Sequence, residues 1–146
     1  MSPKSCTVPV GPASDAEALE AGAVPMPWFT HDSDAASDMK CRRLIKRYGL
    51  EGYGRWWLLC EALAGTDWHR IDVSDDCGLE IMADILMYDS GDDAREFLVT
   101  IAALGLIDRE MLESNGVVSS DRMVRNSLTV GRNRANGKRG GRPRKS

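Results

Sequence analysis

Residues 106–118 read LIDREMLESNGVV, and this stretch decides the fold expected for the chain around it. Leu106-Ile107 and Val117-Val118 are short apolar pairs, and Asn115-Gly116 stands between them. Asn-Gly is the strongest short-range hairpin signal, because a type I′ turn needs positive φ at both central residues. The spacing therefore predicts two strands joined through Asn115-Gly116, a hairpin spanning about 106–120. Immediately upstream, Gly105 can stop a helix with Ala94, Phe97, Leu98 and Ile101 on one face. Ser90-x-x-Asp93 is a capping-box-like start for it. Further back, Leu79, Met82, Ala83 and Leu86 predict another helix, capped by Ser74, with Asp75 and Asp76 at the favourable end of its dipole. Ile71 and Val73 flank Asp72 as a short strand.

Two more helices precede that strand. Cys41, Leu44, Ile45 and Tyr48 repeat at i, i+3, i+4, i+7, with Ser37 or Asp38 as cap and Gly49 as stop. Trp56, Trp57, Cys60, Leu63 and Ala64 continue the pattern to Gly65. Downstream of the hairpin, Ser120 can cap a last, basic helix beginning near Asp121. This order predicts a mostly α fold with a small β wing, a winged helix-turn-helix with Asp92–Leu104 in the recognition-helix place. The expected core is Cys41, Leu44, Tyr48, Trp57, Leu63, Leu79, Phe97 and Ile101. Trp56 and Trp57 are read as core residues rather than base-stacking platforms.

Proline sets the expected boundaries. Five of the six prolines precede Trp28, and residues 1–26 hold no aromatic residue. That segment has too little apolar surface to offset ordering entropy and is expected to be disordered. From about Gly131 the chain turns to Gly, Arg, Asn and Lys. The expected division is a disordered tail 1–26, a winged-helix domain 27–130, and a basic tail 131–146. A domain of ~100 residues buries enough surface to fold unaided. No run of 18 apolar residues suggests a membrane span, and Met1 to Val24 lacks the apolar core of a secretory signal. Cys6, Cys41, Cys60 and Cys77 form no C-x-x-C pair, so reduced thiols and a cytoplasmic location are expected. His31 and His69 are the sole histidines, and no phosphate-loop, nucleophile-elbow or zinc-protease motif occurs. The expectation is a protein without catalytic residues, cofactor or metal.

Charge carries the functional signal. Residues 1–121 hold all 22 acidic residues against ten basic ones, a net of −12, while residues 122–146 hold nine basic residues and no acidic one, a net of +9. Gly141-Arg142-Pro143, with Arg139, Arg144 and Lys145 around it, resembles an AT-hook. Pro143 holds Arg142 extended, and the bare Gly140 and Gly141 can lie against a groove floor. An extended arginine strand suits a narrow A·T minor groove. A full hook has arginine where this chain has Gly140. A second basic surface lies on the first core helix, where Lys40, Arg42, Arg43, Lys46 and Arg47 fall opposite the apolar face. Two readings stand: a solvated face pairing with Asp32, Asp34 or Asp38, or a contact with phosphate or an acidic partner, in which Lys40, Arg43 and Arg47 are the candidate DNA contacts. The expected recognition arc, Asp92, Arg95, Glu96, Val99, Thr100 and Ala103, holds two acids and one base. Acids repel phosphate, so this face is expected to pack on protein, including a second copy.

Trp28-Phe29-x-His31-Asp32, Asp38-x-Lys40 and the run from Leu44 through YGLEGYG (48–54) to Trp57-x-Leu59-x-Glu61 resemble the N-terminal domain of phage replisome-organiser and DnaD-like replication proteins. The resemblance covers about residues 27–145, including the basic GGRPRK run at 140–145. It implies a winged-helix domain acting in replication initiation or primosome loading, with no catalytic residue. The functional expectation is thus a non-enzymatic, phage- or prophage-type DNA-binding scaffold that grips DNA mainly through its tail and meets replication proteins or itself through the folded domain. The alternative is a protein-interaction or oligomerisation module whose tail is only a linker.

Overall fold

The computed structural model describes residues 14–138. Among the described residues five α-helices and two short strands follow one another, with short helical turns between some of them. They are α1 (Asp15–Gly22), α2 (Met39–Ala64), β1 (Ile71–Asp72), α3 (Asp76–Leu86), α4 (Gly91–Ala103), β2 (Val117–Val118) and α5 (Asp121–Lys138). The molecule is mostly helical, with one two-stranded antiparallel sheet.

Local chemistry explains most boundaries. Asp38 caps α2, its carboxylate accepting from the amides of Lys40 at 3.1 Å and Cys41 at 3.4 Å. Gly49 divides α2 into two arms: its φ of 73° and ψ of −162° lie where essentially only glycine is comfortable. The spacing-based stop at Gly49 thus corresponds to a real break. Gly65 closes the second arm. Ser90 caps α4 by accepting from the Asp93 amide at 3.2 Å.

The core is continuous from α2 through α3 and α4 to the start of α5. Leu44, Leu59, Cys60, Leu63, Met82, Leu86, Phe97, Ile101, Val118 and Met123 are wholly enclosed. Seen along α3 and α4, the buried residues are those that helical periodicity selects, Leu79, Met82, Ala83 and Leu86 with Ala94, Phe97, Leu98 and Ile101. Tyr48 and Trp57, expected in the core, are half-buried at its edge, and Trp56 at 2% exposure takes the interior place. Trp56 lies four and seven positions before the enclosed Cys60 and Leu63 and shares their face, whereas Trp57 is turned about 100° toward its edge.

Several expectations are corrected. Leu106-Ile107 is buried but forms no strand, and the 106–120 hairpin does not exist. Residues 109–115 coil into a helical turn that widens to π-type over Met111–Asn115. Gly116 ends that turn at φ 63°, so the Asn-Gly signal marks a helix C-terminus rather than a type I′ turn. β2 instead pairs with β1, Ile71 facing Val118 and Asp72 facing Val117. Ser74 does not cap α3. Its amide and hydroxyl donate to the Asp72 carboxylate at 2.8 and 2.6 Å, and Asp75 becomes the cap, accepting from the Gly78 amide at 2.7 Å. Ser120 sits at the entry to α5, where its carbonyl accepts from Val124, yet its buried hydroxyl has no hydrogen-bond partner.

The boundaries at 26 and 131 also move. Residues 15–22, expected to be disordered, form α1, and α5 runs past Val130 to Lys138. The two helices pack together through small residues. A Cβ on Gly22 would stand 2.0 Å from the Ser127 carbonyl oxygen, and one on Gly131 would stand 1.8 Å from that of Ala18. Ala18-x-x-x-Gly22 and Ser127-x-x-x-Gly131 are therefore grooves through which the backbones touch. At the junction, the enclosed His69 ring places Nδ1 2.8 Å from the Leu63 carbonyl and Nε2 2.5 Å from that of Gly22. His69 thereby ties the end of α2 to the end of α1.

Candidate nucleic-acid interface

The first arm of α2 builds its cationic face by register. Cys41 and Leu44 are buried, and Lys40, Arg42, Arg43, Lys46 and Arg47 are all exposed on the opposite side. None of the five has a carboxylate within ion-pairing distance among the described residues; the pairs recorded there are Arg109–Glu113, Arg122–Asp32 and Arg132–Asp15. Of the two sequence readings of this face, pairing with Asp32, Asp34 or Asp38 is not observed. Lys40, Arg43 and Arg47 are exposed and form no ion pair among the described residues.

α5 supplies the second group of cations. Arg122 enters a polar junction, donating to Asp32 at 3.2 Å and to the Thr30 carbonyl at 2.6 Å. Its guanidinium lies 5.2 Å from the Trp57 ring centre, and the His31 ring stacks on the same tryptophan at 3.6 Å. Asn126 joins the junction by accepting from both the amide and the hydroxyl of Thr30 at 3.0 and 2.6 Å. A groove of about 380 Å³ runs between α2 and α5, lined by Lys40, Arg122 and Arg125 together with Asp34, Asp38 and Trp57. It makes the start of α2 and the start of α5 one continuous surface. Sequence periodicity found the cations of α2 but not this groove, because the Trp28–Asp32 segment that joins the two helices has no regular pattern.

The remaining expected site residues fall elsewhere. Arg139, Gly141, Arg142, Pro143, Arg144 and Lys145 lie outside the described residues. On α4, Asp92, Arg95, Glu96, Val99 and Ala103 are exposed as expected, while Thr100 is half-buried and accepts the Tyr48 hydroxyl at 3.1 Å. A second cavity of about 250 Å³ lies where Tyr48, Arg55 and Tyr88 meet Asp93 and Glu96. Arg55 stacks 3.9 Å above the Tyr88 ring centre there. Among the described residues no cluster of three or more His, Cys, Asp or Glu side chains is disposed to hold a metal ion, and no helix is long and apolar enough to cross a membrane. Cys41, Cys60 and Cys77 are free thiols. Burial pushes the Cys60 thiol up to about 12, and burial together with Asp38 raises that of Cys41.

The fold and its surface define a small helical domain with one minimal sheet and cations concentrated on α2 and α5. The chain belongs to the Lin1244/Lin1753-like family: the pattern of that family's N-terminal region matches residues 28–123. The match runs from Trp28 to the beginning of α5, so α1 and most of α5 lie beyond it. No curated protein and no solved structure matches the chain.

Proposed function

We propose that this protein is a non-enzymatic DNA-binding scaffold of phage or prophage type acting in the initiation of DNA replication, similar to the replisome organisers. The observation that carries the reading is the exposed face of Lys40, Arg42, Arg43, Lys46 and Arg47, without a carboxylate partner among the described residues, on an otherwise acidic body. A cationic arc that forms no ion pair among the described residues fits the phosphate backbone, and the Arg139–Lys145 run adds a second cationic element. In this reading the helices form a winged-helix domain in which β1, between α2 and α3, pairs with β2, after α4. That wing differs from the hairpin expected over 106–120. The acidic outer arc of α4 then meets protein, a replication partner or a second copy, rather than DNA. No cofactor is required.

Fluorescence anisotropy of a labelled duplex, titrated at several salt concentrations, tests this. Each phosphate contact contributes about −0.9 to the slope of log K against log salt. Replacing Lys40, Arg43 and Arg47 together with Ala is expected to flatten the slope by about 2 to 3 by the same rule. Replacing Arg142 with Ala is expected to weaken A·T-rich duplex more than G·C-rich duplex. Wild-type protein that fails to bind duplex at low salt would leave the protein-interaction module as the reading.

A further inference from the structure

The charge of helix α1 is opposite to that of its neighbour α5. Its eight residues, DAEALEAG, hold Asp15, Glu17 and Glu20 and no base. It lies on α5, where Arg132 pairs with Asp15. Arg134 reaches the other end of the same helix, donating to the carbonyls of Ala21 and Pro25 at 3.1 Å each. There it meets the negative end of the α1 dipole. Both arginines of the second half of α5 are thus occupied by one short acidic segment. The two backbones touch at Ala18, Gly22, Ser127 and Gly131, and the Asp15–Arg132 pair beside them is exposed to solvent, where an anion can compete for the guanidinium.

We propose that the second half of α5 is a phosphate-contacting surface and that α1 occupies it as an intramolecular competitor of nucleic acid. The proposal rests on the DNA-binding reading above and adds a regulated element to it. With α1 displaced, Arg132 and Arg134 join Arg125 on one helix that leads directly into the basic run ending at Lys145. Duplex and α1 then exclude one another by sharing donors: Arg132 gives up the Asp15 carboxylate and Arg134 the Ala21 and Pro25 carbonyls before either can reach a phosphate.

The test uses the full chain and a fluorescein-labelled 20-base-pair duplex of mixed sequence. Asp15→Asn removes the carboxylate on Arg132, and Gly22→Ala removes no charge but forces α1 off the Ser127 carbonyl. Both variants are expected to bind about two- to fivefold more tightly, the range an exposed ion pair supports. The salt slope is expected to steepen by about 0.9 for Asp15→Asn and about 2 for Gly22→Ala. Asp89→Asn, which makes the same change in net charge on an exposed loop, is expected to leave both quantities unchanged. Thermal melts confirm that the main transition survives in each variant. Wild-type affinity and slope in both α1 variants, or an equal gain in Asp89→Asn, would overturn the competitor while leaving DNA binding intact. Absence of binding in every protein, wild type included, would instead overturn the DNA-binding reading and the competitor with it.

Discussion

Single side chains here do work that their type alone does not announce. Cys60 is fully enclosed, with its thiol held near 12 against an ordinary 9.0. A folded value above the unfolded one means the native state keeps its proton longer, so this stabilisation is complete below pH 9 and falls as pH rises toward 12. The loss should be about 1.4 kcal/mol per pH unit in that window. Denaturant melts from pH 8 to 11 check it, since Cys60→Ala should lose less stability over that range than wild type. In the native protein, iodoacetamide should label exposed Cys77 and spare Cys41 and Cys60, as peptide mass spectrometry would reveal. Trp56→Ala should cost about 3–5 kcal/mol and Trp57→Ala distinctly less, because only the former empties a closed site. The tryptophan pair marks a limit of periodicity. It fixed the helix and left the rotation of the pair undecided, and that rotation followed from Cys60 and Leu63 turning toward the core.

At the level of elements, capped and periodic helices were legible and pairings were not. Leu79 to Leu86 and Ala94 to Ile101 repeat at helical spacing and lie on buried faces as that spacing requires. Asn115-Gly116 was ambiguous in kind, since positive φ serves a type I′ turn and a helix terminus alike. What decided it was Asp108, whose carboxylate accepts from the Met111 amide at 3.0 Å and starts a helical turn between the supposed strands. Gly116→Val should still destabilise the domain, by about 2–3 kcal/mol, for a reason the hairpin did not supply. Besides the left-handed φ, a Cβ there would lie 2.7 Å from that of Ser74. Gly49→Ala separates the two effects. No atom lies within 4 Å of its Cβ, so a loss of about 1–3 kcal/mol in a thermal or urea melt would report backbone strain alone. The α1–α5 pair was invisible for a different reason. Patterns of large apolar residues reveal cores, whereas Gly22 and Gly131 associate by having nothing to pack.

Over the whole molecule, the separation of charge was plain from composition, but its consequence for shape was not. An acidic body and a basic end suggested two independent parts, and the described residues show that the first acidic helix is laid against the last basic one. Candidate contacts at Lys40, Arg43 and Arg47 were found by helical phase, while Arg122 and Arg125 joined Lys40 in one groove only through tertiary structure. The same closure bears on the order in which the protein folds. Arg134 and Ala21 are 113 positions apart in the chain, so their contact waits on a loop closure spanning most of the sequence. The helices between them need no such closure and can form a nucleus first. Weakening the α1 contact should therefore accelerate unfolding and leave the folding rate nearly unchanged, a φ-value close to zero for Gly22→Ala in a stopped-flow chevron. During synthesis α1 leaves the ribosome before the other helices of the described residues and finds its partner only when the end of α5 follows, so of these helices the earliest made is the last to dock.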